Sequence, residues 1–422
     1  MRSQHRLRFV NVISARRGCF GTLLQDLSAE RNLLAFMPLA LWRFKSQPDF
    51  DTMFGRDLTW RREWAGSGRR RLPRPCLRRV PMCSQSPFGS FDAAANFRPR
   101  AAGDNHLSKE AEQFCEEIFG QDGVILAGAA GGRFVYEMRR RFQLYYKLNP
   151  LRSYPELARV SRLKGIEAID ILVVRENLGG LYQGESQFVA GSGEISHTFV
   201  QHEDQVRAVL HVGAQAARAR RNSLSVIGKQ SGLPEIYSLW RRCALDIAES
   251  YGVEVTLYDI DYAAYQLLQQ PEAFDVIVAP NCFGDILSDL GGLFAGSRGL
   301  TFGASYSANG AAVYQTNHGA AHDLAGTDRA NPAGQIFSAA MMLREAFQLE
   351  GGAQLVENAV RAVWKAGWRT VDLREPQCRI AGTQRFAELV ADEIRAAVVH
   401  DGKACSVAGS RSFAAPTELQ PQ

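Results

Sequence analysis

The stretch FDVIVAPNCFGDILSDLGGLFAGSRG, Phe274–Gly299, decides the fold. It opens with a β-rich run, Phe274–Ala279, that reads as a buried strand, and passes directly into a helical pattern from Asn281. Outward from it the same rhythm recurs. Further β-rich runs at Gly123–Ala127, Ile169–Val174, Leu224–Gly228 and Val253–Tyr258 alternate with helical stretches near Glu203–Arg221, Glu235–Tyr251 and Asp261–Gln270. Continuous apolar strands between amphipathic helices imply a sheet covered on both faces, and so an α/β class. Leu181–Gln201 (LYQGESQFVAGSGEISHTFVQ) breaks the rhythm: polar, alternating and interrupted by Gly, it reads as a projecting β-hairpin arm suited to a dimer contact. After Asn331-Pro332 come helical runs at Gly334–Leu349, Gln354–Lys365 and Thr383–Val398, and from about His400 a polar tail shows no packing pattern.

Composition narrows the class. The 422 residues are 46% hydrophobic and 22% charged, enough for a sizeable core and two to three domains' worth of mass, which excludes a disordered or fibrous chain. No apolar run approaches the roughly 18 residues needed to span a bilayer. Eight scattered Cys include no CxxC pair, so neither a zinc site nor a disulfide framework is readable, and reduced thiols in a cytoplasmic setting are expected. The net charge of +5 conceals a division: residues 1–103 hold 18 Arg and one Lys against seven acids, a net +12, leaving −7 for the remainder. These arginines are dispersed among Trp, Pro and Cys without an RNP motif, zinc-finger spacing or a basic amphipathic helix, so no nucleic-acid partner is expected. The Asn32–Trp42 run (NLLAFMPLALW) lies too far in, carries Pro38 and lacks a small-residue cleavage site, which argues against a secretory signal. Asp26, Glu30, Asp49 and Asp51 weaken a mitochondrial presequence.

The chemistry is densest in Asn281–Gly299. Asp285 and Asp289 stand four apart at the start of a helix that follows a buried strand, so both carboxylates face one side at the strand's C-terminal mouth. Two like charges there are costly, and a bound Mg²⁺ or Mn²⁺ removes the repulsion. Alternatively, the two acids merely complement the helix dipole.

Context comes from a resemblance. NCFGDILSDLGGLFAGSRG resembles the signature of the isocitrate/isopropylmalate dehydrogenase family, which oxidises a 2-hydroxy acid with a nicotinamide cofactor and decarboxylates the product. Five more segments agree in order: Met138–Pro155 (MRRRFQLYYKLNPLRSYP) with the pattern LRKxxDLYANLRP, Asp170–Glu185 (DILVVRENLGGLYQGE), Gly228-Lys229, Asp259–Leu267 (DIDYAAYQL) and His318–Leu343. The resemblance implies a two-domain isopropylmalate dehydrogenase-like α/β fold, not of the Rossmann type: a central sheet flanked by helices, with a protruding β-arm. It divides the chain into a cofactor side, 104–144 with 296–398, and a substrate, metal and dimer part, 145–295 with the arm near 181–201. Outside these stand the basic segment 1–103 and a flexible tail, 399–422.

The resemblance also implies roles. Asp261, Asp285 and Asp289 match three metal carboxylates, Asp261 being supplied by the neighbouring subunit of a homodimer with shared active sites. On this reading Asp285 serves the ion and not the core. Arg139 and Arg175 match guanidinium groups that clamp the substrate's carboxylates. Lys229, also from the neighbour, matches the general base, its pKa lowered by surrounding positive charge, and Tyr182 matches the proton donor. Without the pattern, Lys229 reads as a surface lysine and Tyr182 as arm packing. In the cofactor loop His318, Gly319, Asp323 and Asn331 match NAD contacts, and Asp323 favours NAD because an acid accepts both ribose hydroxyls and repels a 2′-phosphate. The activity implied is NAD- and Mg²⁺- or Mn²⁺-dependent oxidative decarboxylation of a 2-hydroxy di- or tricarboxylic acid of the 3-isopropylmalate, tartrate or homoisocitrate type; the alternative is a catalytically inactive paralogue or truncated family member that keeps the dimer scaffold.

This chain departs from the pattern in several places. Asn149 stands where a second clamping arginine is expected, so that one substrate carboxylate is either absent or held by nearby Arg152. Val135 and Tyr136 suit an apolar side-chain pocket, whereas Arg133 suits an acidic substituent. His322 replaces the usual Pro. Family members begin with a strand and a GDGIGPE loop, yet residues 1–103 contain nothing like it. That segment reads either as a divergent extension or, preferred here, as a mis-set start or frame shift, which leaves the sheet short of a strand.

Overall fold

The computed structural model describes residues 11–16, 100–101, 106–130, 132–163 and 168–408. In chain order the strands of the main sheet and the arm are β1 Asn11–Arg16, β2 Arg100–Ala101, β3 Gly123–Ala127, β4 Tyr146–Arg152, β5 Asp170–Glu176, β6 Glu185–Val189, β7 Glu194–Thr198, β8 Ser223–Gly228, β9 Glu254–Asp259, β10 Val276–Ala279, β11 Phe302–Tyr306 and β12 Ala312–Thr316, and Trp368–Arg369 pairs with Arg379–Ile380 apart from them. The main helices are α1 Lys109–Phe119, α2 Phe134–Arg141, α3 Glu203–Ala219, α4 Pro234–Tyr251, α5 Ile260–Gln269, α6 Asn281–Leu290, α7 Gly292–Ala295, α8 Ala333–Ala346, α9 Glu350–Lys365 and α10 Thr383–Ala408. Ten strands form one mixed sheet in the order β2-β1-β3-β12-β11-β4-β5-β10-β8-β9.

The half built from β5, β10, β8 and β9 is parallel. It is covered on both faces, as the apolar runs require. Val278 packs with Val206, Leu210 and Trp240 of α3 and α4, while Ile277, its neighbour on the opposite pleat, packs with Leu267 of α5 and Leu287 of α6. In the other half Leu126 and Tyr314 face Phe337, Val360 and Phe386 of α8, α9 and α10, and Ile125 and Val313 face Phe114 of α1 and Met138 of α2. Each such buried Val, Ile, Leu or Phe contributes about 1.5–3 kcal/mol relative to exposure.

Several elements differ from the expectation. β4 holds Lys147, Asn149, Pro150 and Arg152, and β11 holds Gly303, Ala304 and Ser305. Neither has an apolar run, because pairing on both edges rather than side-chain hydrophobicity keeps them extended. The sheet is not short of an edge strand: β1 runs antiparallel along β3, from Val12 opposite Ala127 to Arg16 opposite Gly123. The buried β3 has peptide groups on that edge that need partners, and residues 11–16 supply them. The Asn32–Trp42 run and most of the basic segment lie outside the described residues. The tail begins later than expected, since α10 stays helical through Ala408; residues 409–422 lie outside the described residues. β6 and β7 form a separate hairpin in which Phe188 and Ile195 face each other, both exposed. Among the described residues no helix is long and apolar enough to cross a membrane.

Candidate active site

The site is built where β5 and β10, adjacent and parallel, end together. β5 ends at Arg175-Glu176, and α6 starts two residues after β10. Gly284 lets this helix lie directly on Arg175: a Cβ there would come within 2.9 Å of both Cβ and Cγ of the arginine. Arg175, only 2% exposed, donates from Nε and Nη2 to Asn281 Oδ1 at 3.1 and 2.8 Å, and from Nη1 to the Asp285 carboxylate. Asn281 is itself fully buried and donates from Nδ2 to the carbonyls of Asn177 and Gly179. It therefore ties strand end, loop and helix start into one unit. Asp289, one turn beyond Asp285, accepts from Arg298 Nη2 at 2.6 Å, and burial, then Asp285, push its pKa up against the pull of Arg298. The two carboxylates do share a face. Asp285 is not reserved for an ion, however, because it is the counter-charge of a buried guanidinium.

β4 brings more positive charge to the same place. Lys147 lies directly opposite Arg175 across the antiparallel β4–β5 pair, so the two side chains leave the sheet on one face. Arg139, from α2, is 4% exposed, and burial followed by repulsion from Arg175 brings its pKa down to about 9. Asn149 is 1% exposed with both amide atoms unpartnered, and Asn317 Oδ1 is unpartnered too. Tyr182 sits in a short turn, Leu181–Gln183, with its ring 5.9 Å from Tyr136 and 5.8 Å from the Arg175 guanidinium; Arg139 in turn lies 5.5 Å from the Tyr136 ring. Burial, then the Cys282 thiol and Asp285, raise the Tyr182 pKa, so the phenol keeps its proton. Tyr136 thus lines the site, while Val135 packs against the α1–β3 core and Arg133 lies 5.6 Å from the Tyr136 ring.

Glu176, Asn281 and Lys147 are polar site residues that the sequence reading did not single out. Glu176 is fully buried, and burial pushes its carboxyl up to about 7 even though Gln201 and the backbone around Asn281 and Gly179 support the ionised form. Gln201 also accepts from Trp240 Nε1 at 2.7 Å, which anchors the return of the arm to α4. A charged pair closing an apolar strand, Arg175-Glu176 after Val173-Val174, was the available signal.

Other expected residues stand elsewhere. Arg152 is not beside the clamp: it lies at the opposite end of β4, 3.6 Å from Asp170 and from Glu357. Proximity in sequence misled here, because five residues of strand span roughly 17 Å. Lys229 and Asp261 pair with each other, Nζ lying 2.8 and 2.9 Å from the two carboxylate oxygens, with Asp259 at 3.4 Å. Hydrogen bonding to Asp261 raises the Lys229 pKa, the reverse of the expected lowering, because its own chain surrounds it with carboxylates. Among the described residues no ion pair joins Lys229 or Asp261 to Asp285, Asp289 or Arg175, and no three acids come together as a metal cluster.

The loop after β12 brings His318 beside this site. Its Nδ1 lies 3.0 Å from the Gly319 carbonyl, Nε2 is buried and unpartnered, and Arg298, Asp289 and Lys147 all act on its charge. Space beyond Gly319 is open, and Asp323 is exposed in a short turn with His322. Asn331 is engaged by the chain itself, accepting from Ala333 N at 3.0 Å and donating to Asp372 at 3.0 Å at the start of α8.

Comparison with known proteins agrees with this geometry. Residues 101–390 match the isocitrate/isopropylmalate dehydrogenase family. A 3-isopropylmalate dehydrogenase of Carboxydothermus hydrogenoformans is 39% identical over 307 residues, covering 68% of this chain and 81% of that protein. One of Cupriavidus metallidurans is 39% identical over 329 residues, 72% of this chain and 89% of that protein. The crystal structure of isocitrate dehydrogenase from Methylococcus capsulatus superposes with a TM-score of 0.62 at 29% identity, over 68% of this chain and 85% of that one. With the signature helix α6 seated on Arg175 and the match running from β2 into α10, the chain belongs to the isocitrate/isopropylmalate dehydrogenase family.

Proposed function

We propose that this protein is a dehydrogenase of the 3-isopropylmalate type, which uses NAD and Mg²⁺ or Mn²⁺ to oxidise and decarboxylate a 2-hydroxy di- or tricarboxylic acid. The observation that carries the reading is the facing arrangement of buried cations, Arg139 and Arg175, with Asp285 and Asp289, under the Tyr182 ring. Repulsion from Asp285 contributes to the raised pKa of Asp289, and a hard divalent cation relieves such repulsion through carboxylate oxygen. Asp285 and Asp289 would hold the ion with Asp261 of the partner subunit. The unpartnered His318 Nε2, the open space at Gly319 and the exposed Asp323 suit a nicotinamide dinucleotide, with Asp323 selecting NAD; Asn331 would act there through its backbone and its hold on α8. When bound, the cofactor accepts the hydride and the cation polarises the hydroxyl and its neighbouring carboxylate.

The chain's own groups do the rest. Arg139 and Arg175 orient the carboxylates through planar bidentate donors. The partner subunit's Lys229, in its neutral form, takes the hydroxyl proton as hydride leaves the same carbon. Loss of CO₂ leaves its electron pair in an enolate, and Tyr182, whose proton is firmly held, returns a proton to carbon. Delivery of Lys229 by a homodimer is supported by the lack, among the described residues, of an ion pair between Lys229 and Asp285 or Asp289, and by exposed Phe188, Ile195, Tyr262 and Tyr265 on the arm and α5. One hydrophobic cluster lies wholly within 104–144 and 296–398 and two lie wholly within 145–295, which supports a cofactor side and a substrate and dimer part with those bounds, while the cluster around Phe337 joins the two through Leu157 and Ala295. The test is NADH formation by the purified full chain with 3-isopropylmalate, tartrate or homoisocitrate, with Mn²⁺ or with a chelator. Turnover that requires metal and prefers NAD over NADP is expected. No NADH with any of the three acids would favour an inactive paralogue.

A further inference from the structure

Arg175 has a counter-charge in Asp285, but its two cationic neighbours have none. Arg139 and Lys147, 4% and 2% exposed, have no ion-pair partner among the described residues, and Arg139 Nε has no hydrogen-bond acceptor. The two nearby carboxylates are already taken, Asp285 by Arg175 and Asp289 by Arg298. Nor is Lys147 at an edge of the sheet. It sits in mid-sheet, with Arg175 opposite on β5 and Ser305 opposite on β11. An ammonium buried beside two guanidinium groups is costly unless an anion joins them. Burial and those two arginines push its pKa well down, against the pull of Asp285 and Asp289. A structural role does not account for this, because a methionine of similar length would fill the same space without the charge. Two residues on, and on the same face, Asn149 presents an unpartnered amide that continues the polar lining.

We propose that Lys147 is a substrate-binding residue whose ammonium, together with Arg139, holds a carboxylate of the hydroxy acid beyond the one next to the hydroxyl. The inference rests on the dehydrogenase reading and names the groups that hold the second carboxylate of its substrate. A monocarboxylic 2-hydroxy acid leaves Arg139 and Lys147 uncompensated and binds poorly. The ammonium takes over the work that Arg152 cannot do from the far end of β4.

The experiment compares Lys147→Gln and Lys147→Met with wild type by steady-state kinetics with 3-isopropylmalate, and by the thermal shift that 3-isopropylmalate produces without cofactor. A rise in KM for the acid of roughly 100-fold is expected, with KM for NAD within about twofold and the ligand-induced shift lost. Unliganded Tm should stay level or rise by a few degrees, since an uncompensated buried charge has been removed, whereas loss of a structural lysine lowers it. KM for the acid within about threefold of wild type would overturn the proposal. If the single variants fold poorly, Lys147→Asn with Asn149→Arg decides, because it moves the cation two residues along the same strand face. Recovered binding supports a charge requirement at this subsite, and a folded double variant without binding overturns it. Should wild type show the thermal shift but form no NADH, the dehydrogenase reading fails while the shift still tests Lys147.

Discussion

Arg175 with Asp285 and Lys229 with Asp261 are both cation–carboxylate pairs at the carboxyl ends of parallel strands, yet they are built in opposite ways. Arg175 is 2% exposed, gripped by Asn281 and covered by α6, with Asp285 35% exposed; in the second pair the side chains are 29% and 69% exposed, and among the described residues the one further ion pair is from Lys229 to Asp259. The first is assembled by the fold of one chain, and its charges cannot be removed without disturbing the core. The second is a loose surface pair at the β8–β9 edge, with a geometry that a partner surface can override. On the proposed reading, one half of the site is therefore pre-organised, and the other is suited to delivery by association.

The largest effect is expected where the Arg175–Asp285 pair is broken. Asp285→Asn and Asp289→Asn should each lower turnover by roughly 10³-fold or more through loss of the cation. Only the first should also cost about 2–4 kcal/mol in denaturant unfolding, since it strands Arg175; the partner of Asp289, Arg298, is 60% exposed. Equal stability losses would erase the distinction between the two pairs. Next comes subunit mixing. Lys229→Ala and Tyr182→Phe, each inactive alone, should regain about half of wild-type activity per heterodimer once the subunits exchange, because one site then combines an intact Tyr182 with an intact Lys229. No recovery despite verified exchange would place both groups in one chain's site.

A smaller effect concerns pH. The Glu176 carboxyl, raised from 4.5 to about 7, holds its proton longer in the folded than in the unfolded state. Stability from this group is complete below about pH 4.5 and is lost as pH rises through 7, a change of about 3 kcal/mol. Glu176→Gln should flatten the pH dependence of unfolding over that interval, and an unchanged slope would refute the assignment. The smallest effect is at the exposed loop, where Asp323→Lys should shift the ratio of kcat/KM for NAD over NADP by roughly tenfold toward NADP. A wild-type preference for NADP would remove Asp323 from cofactor selection.

What could be read in the sequence followed from local pattern. The strands of the parallel half were legible because burial on both faces writes a continuous apolar run, as in Val276–Ala279. Asp285 and Asp289 were legible as a pair because helical spacing alone puts them on one face. β4 was not, since Lys147 and Asn149 look like loop residues until pairing on both edges explains them. For the same reason Arg152 looked like a neighbour of the clamp, although an extended strand carries it away.

By itself, then, the sequence determined the α/β class, the family and the residue types available for the chemistry, because periodicity and ordered motifs are local properties of the chain. Only the tertiary structure decided which charges are balanced. That Asp285 belongs to Arg175, that Lys229 and Asp261 stand apart from both, and that Lys147 lies in the sheet without a counter-ion depend on strand order and burial. An ionised group's free energy is set by the charges and solvent around it in space, and residues 147, 175 and 285 meet only after the sheet has formed.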